Sequence, residues 1–135
     1  MTAKSLSWVA VFLACWFGAQ TAYAIERPQK VASPGRLHIF VCEDGPLAAE
    51  RRKAALSAHL AFIEKYHDQL VVAGPLFDVD GKKLVGSVYV IKASDSESAW
   101  RVLAADPNYG AGVWVSVRQQ QLLPAAGQWI GGITW

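Results

Sequence analysis

Arg36-Leu37-His38-Ile39-Phe40-Val41-Cys42 sets Leu37, Ile39 and Val41 against His38, Phe40 and Cys42 in strict alternation, the period of an extended strand with two unlike faces. Glu43-Asp44-Gly45-Pro46 follows with turn residues and a helix start. Leu47 to His67 is then rich in Ala, Leu, Glu, Lys and Arg, all good helix formers. Ala55, His59, Phe62 and Tyr66 fall on one stripe of that helix, with Leu56, Leu60 and Ile63 beside it.

Downstream, Leu70-Val71-Val72-Ala73 reads as a short strand ended by Gly74-Pro75. Leu84 to Ile91 is a β-branched run after Asp78-Val79-Asp80-Gly81-Lys82, so the two strands form an antiparallel hairpin. Ser94 to Ala105 is a second helix, capped by Ser94 in a Ser-x-x-Glu pattern with Glu97. Val113 to Arg118 alternates again and makes the last strand. The order β-α-β-β-α-β defines an α+β, ferredoxin-like sandwich of two split βαβ units. Both helices cover one sheet face, which leaves the other for a partner or a cavity. Phe40 with His38 and Cys42, and Trp114 with Ser116 and Arg118, read as inner faces on which a second sheet packs. A homodimer closing into an α/β barrel is the expected solution.

Outward from this unit, residues 36–123 are the domain, 124–135 a Trp- and Gly-rich tail, and 25–35 an extended segment containing Pro28, Pro34 and Gly35. The first 24 residues read as a signal peptide. Lys4 precedes an apolar run from Trp8 to Gly18, and Ala22-Tyr23-Ala24 supplies the small-x-small cleavage pattern. The run falls short of the ~18–20 apolar residues of a spanning helix, so no membrane anchor is expected after cleavage and the protein is read as secreted or periplasmic. A lipoprotein reading would modify Cys15, but Trp16-Phe17 continues the apolar run.

The 135 residues leave room for one domain. Cleavage after Ala24 leaves 111 residues, with twelve basic groups against eleven acidic ones. That balance argues against nucleic acid, and the longest basic run, Arg51-Arg52-Lys53, reads as a solvated helix face. Cys42 alone survives processing, so no intramolecular disulfide forms.

Glu43-Asp44-Gly45-Pro46, Ala58-His59-Leu60, Ala73-Gly74-Pro75-Leu76, Gly86-Ser87 and Asp106-Pro107 followed by Ala111-Gly112, in this order, resemble the YciI-like family across Arg36 to Gln121. The resemblance implies a dimeric α/β barrel and an active site built on a His and an Asp, here matching His59 and Asp106. It also implies lyase-type chemistry on small cyclic or aromatic compounds for a few members. Two positions depart from the pattern. Leu56-Ser57 stands where relatives often carry Arg-Pro before the His, which leaves Arg52 as the nearby anion-binding group. Asn108 stands after Asp106-Pro107 where an aromatic is common, with Tyr109 next.

A His–carboxylate pair is a general acid/base unit, because imidazole gives and takes protons near neutral pH and the carboxylate fixes its tautomer. A lone His on an apolar helix stripe is also common as a core residue, and an Asp before Pro as a turn residue. Arg52 and Ser87 are read as substrate-binding, with Gly74 and Pro75 shaping the wall. His38 and Cys42 lie about 13 Å apart along a strand, and His59 and His67 roughly 12 Å apart on a helix, so neither pair chelates a metal. Related barrels hold haem and one His suffices as its axial ligand, but no second feature supports it, and no cofactor is assigned. Mid-strand Cys42 reads as a buried small hydrophobe. Two functions remain open: a small-molecule acid/base enzyme of lyase or isomerase type, and a non-catalytic small-molecule-binding or assembly module.

Overall fold

The computed structural model describes residues 27–135. The expected signal peptide, 1–24, and the start of the extended segment lie outside the described residues. The elements run β1 (Leu37–Asp44), α1 (Ala48–Tyr66), β2 (Leu70–Phe77), β3 (Leu84–Ile91), α2 (Ser96–Ala104), the short α3 (Pro107–Gly110), and β4 (Trp114–Leu122). The four long strands form one antiparallel sheet in the order β2-β3-β1-β4, the strand order of two split βαβ units, and the fold is the expected ferredoxin-like α+β arrangement.

Phe40, Cys42, Tyr89 and Ile91 on the sheet pack against Ala48 and Phe62 of α1 and against Ala99, Val102 and Leu103 of α2. Cross-strand partners share a face, so Phe40 opposite Tyr89 and Cys42 opposite Ser87 fix which side the helices cover. The expected inner faces are therefore corrected. His38, Phe40 and Cys42 are 2%, 0% and 1% exposed beneath the helices. Ile39 and Val41, paired with Val90 and Val88, face the side away from the helices. Trp114 also leaves the company of Ser116 and Arg118. Between Glu43 and Asp44 the register jumps from Ser116 to Trp114, and the extra residue, Val115, turns Trp114 to the helix side. There its ring meets Tyr89 edge-on at 5.8 Å. Alternation alone distinguishes two faces without saying which one the helices occupy.

Three boundaries also move. β2 continues through Gly74-Pro75 to Phe77, since it is an edge strand and an edge tolerates the missing N–H of proline. The α2 cap is Asp95, whose carboxylate accepts from the Ser98 N–H and is held down to about 2 chiefly by that bond; Ser94 donates its hydroxyl to Asp95 instead. β4 runs to Leu122, four residues beyond the expected end. The tail folds back as a small hairpin, β5 (Ala126–Gly127) with β6 (Gly132–Ile133), and the Ile133 N–H donates to the carbonyl of Gln29. β1 and β3 approach so closely that a side chain at Gly86 would run into the carbonyl oxygen of Cys42.

Candidate active site

α1 crosses the sheet with His59 on its inner stripe, and α3 begins one residue after Asp106. Asp106 is the N-cap of α3: its Oδ1 accepts from the Asn108 N–H at 2.8 Å, with Pro107 at the first helical position. This cap fixes the carboxylate beneath α1. His59 Nδ1 donates to Oδ1 at 2.9 Å and to Oδ2 at 3.0 Å, joining residues 47 apart in sequence. Tyr89, reaching up from β3, donates its hydroxyl to Oδ2 at 2.6 Å.

The Asp106 side chain has no exposed surface, whereas that of His59 retains 21%. A buried carboxylate is costly without donors, and three converge on this one. Burial first, and then the negative charge of Asp106, pushes the Tyr89 hydroxyl well above the ordinary tyrosine range, so it stays a donor. Burial likewise pushes the Cys42 thiol up to about 12, with Asp106 adding to the effect. A thiol in that state is not a nucleophile.

His59, Tyr89 and Asn108 line a cavity of about 370 Å³ between α1 and the β2–β3 edge. Leu56, Leu60 and Ile63 form its helical wall, and Ala73, Gly74, Pro75 and Leu84 its sheet wall. All six residues singled out in the sequence meet here. His59 and Asp106 touch; Arg52 Nη2 donates to Ser87 Oγ at 3.0 Å; Gly74 and Pro75 shape the sheet wall. The role of Arg52 is more constrained than expected, because its Nε and Nη2 grip both carboxylate oxygens of Asp44. Its charge is therefore balanced within the protein.

Sequence reading missed Tyr89 and the pairing of Asp44, and marked Asn108 only as a departure from the family pattern. A signal existed for the first: Ser87 and Tyr89 are two apart on one strand and share a face. Asp44 lies eight residues before Arg52, across the turn into α1, with no local pattern to pair them.

A family model described as "YCII-related domain" matches residues 37–121. Among solved structures, the chain is similar to a 5-chloro-2-hydroxyhydroquinone dehydrochlorinase from Burkholderia phenoliruptrix AC1100 in complex with 2,5-dihydroxybenzoquinone. The likeness has 23% identity and a TM-score of 0.56, over 68% of this chain and 96% of that one. At that identity it is a likeness of fold. Weaker likenesses connect it to an uncharacterized NIPSNAP domain protein from Burkholderia xenovorans (18% identity, TM-score 0.43, 68% and 96% covered). Another is to SnoaB, a cofactor-independent oxygenase from Streptomyces nogalater (13% identity, TM-score 0.41, 68% and 94% covered). No curated protein matches the chain in sequence.

Proposed function

The chain belongs to the YCII-related domain family, and from that premise we propose that it is an exported acid/base enzyme of lyase or isomerase type acting on a small organic molecule. The observation that carries the proposal is the bridging contact of the buried Asp106 carboxylate with His59 Nδ1, at 2.9 and 3.0 Å. With Nδ1–H held by Asp106, the neutral ring carries its lone pair on Nε2, on the side away from the carboxylate. Nε2 takes a proton from a C–H or O–H of the substrate and returns it to another atom or to the leaving group. Asp106 balances the charge that appears on the imidazole, and Tyr89 and the Asn108 N–H keep the carboxylate in place. The substrate lies between the α1 and β2 walls, with Arg52 and Ser87 beside it.

Two further parts of the proposal concern setting. Lys4, the apolar run to Gly18 and Ala22-Tyr23-Ala24 support export with Ile25 as the mature N-terminus. The half-buried apolar stretch of Ile39, Val41 and Val88, on the sheet face away from the helices, supports a homodimer, now on the side opposite Phe40 and Trp114. One observation favours a binding module instead: Asp44 takes the charge of Arg52, so among the described residues lining the cavity no free cation stands ready to stabilise a developing anion.

Proton exchange separates the two. Small carbonyl and hydroxyl compounds with acidic C–H bonds are incubated with the protein in D2O and followed by proton NMR. The enzyme reading expects exchange that falls by about 100-fold or more in His59→Gln and in Asp106→Asn. Saturable binding without exchange in any compound supports the binding module.

A further inference from the structure

One polar group beside the dyad is used by neither the dyad nor the fold. Asn108 is 2% exposed and lines the cavity, and its side-chain Oδ1 has no hydrogen-bond partner. Its backbone N–H is committed to Asp106. Buried polar atoms are nearly always partnered, so an orphan amide oxygen on a cavity-lining residue, itself shielded from solvent, marks where a ligand group completes the bond once the amide turns. Its terminal torsion is soft, which lets the oxygen turn to meet a donor.

The charge of that ligand follows from the same wall. Arg52 is the one Lys or Arg among the described residues lining the cavity, and Asp44 and Ser87 already engage it. Asp106 lies fully buried behind His59. A carboxylate entering the cavity would lose water without gaining a free cation, and an ammonium would gain no free carboxylate. Leu56, Leu60, Ile63 and Pro75 make the rest of the surface apolar.

We infer that the cavity selects an uncharged small molecule bearing a hydroxyl group, and that Asn108 is the specificity-determining residue that accepts a hydrogen bond from that hydroxyl. The inference rests on the cavity beside His59 being the ligand site, but it concerns recognition and not turnover. It needs one neutral hydrogen bond, which separates a hydroxylated ligand from its methyl ether by roughly fivefold in affinity.

Phenol, anisole and benzoate form the test series: a hydroxyl, the same hydroxyl capped, and an anion of similar size. Each is titrated into the full mature protein labelled with nitrogen-15, with amide and imidazole shifts followed. Phenol is expected to bind saturably and about fivefold more tightly than anisole, with no saturable binding of benzoate. In Asn108→Leu the phenol-to-anisole ratio falls to about one. Should that variant not melt cooperatively, Asn108→Ala makes the same comparison. In His59→Gln the ratio persists. Loss of proton exchange in every compound, with the ratio intact, would remove the acid/base reading and leave this one standing. Benzoate binding as tightly as phenol overturns the inference. So does a ratio unchanged in the Asn108 variants, or lost only in His59→Gln, or the absence of saturable shifts with all three probes.

Discussion

Tyr89 donates its hydroxyl to Oδ2 of Asp106 at 2.6 Å, from a strand on which it is 2% exposed. The carboxylate that faces His59 is thereby anchored from the sheet as well as from the α3 cap. Tyr89→Phe keeps the ring packed against Trp114 and removes one charge-assisted bond. The expected cost is about 1.5–3 kcal/mol in urea unfolding, together with slower proton exchange as the dyad loosens. Unchanged stability would mean that the hydroxyl does not hold Asp106.

Arg52 and Asp44 form a part-buried pair, with side chains 19% and 10% exposed. Asp44→Ala should destabilise by roughly 2–4 kcal/mol, because it leaves a guanidinium against Ser87 without its anion. Adding Arg52→Met should restore most of that loss. A double variant as unstable as the sum of the two single ones would show that the residues act independently.

Alkaline pH acts on the same core. The Cys42 thiol is held up to about 12 by burial and then by Asp106, whereas in the unfolded chain it ionises near 9.0. Between those values the unfolded chain has released a proton that the folded chain keeps. Stability is therefore full below pH 9 and falls above it, by up to about 1.4 kcal/mol per pH unit from this group. Tyr89, raised in the same direction, adds to the decline above its ordinary 10.0. Urea midpoints from pH 8 to 11 should fall, and less steeply in Cys42→Ala; a flat profile in the unmodified protein contradicts the burial of both groups.

Much of this architecture was legible because hydrophobic period and turn residues are local. Phe40 and Cys42 announced one face, and Ala55, His59, Phe62 and Tyr66 another. What escaped depends on partners far along the chain. The bulge at Val115 is visible only against Glu43 and Asp44, and it reversed the face assigned to Trp114. The passage of β2 through Pro75 depends on β2 being an edge. His59 and Asp106 were found through a family resemblance, since no spacing rule links a helix stripe to a cap 47 residues on. The contacts of Tyr89 and Asp44 needed the tertiary structure itself, and Asn108 stood out only against the family pattern.

The sheet face away from the helices bears on assembly. Val41 points away from the helices beside Val88. If two such faces meet, the mature protein sediments at twice its monomer mass, and Val41→Glu, placing a charge in the seam, sediments as a folded monomer. A monomeric unmodified protein at micromolar concentration would refute the dimer.

The most direct measurement of the central claim is the tautomer of His59 in the neutral ring, read from long-range nitrogen-15 to proton NMR correlations in the unmodified protein. Donation from Nδ1 to Asp106 requires the Nδ1–H form, with the lone pair on Nε2 available to a ligand. That form is the predicted result. A neutral His59 carrying its proton on Nε2 would contradict the account, because the ring could then neither donate to Asp106 nor act as a base toward the cavity.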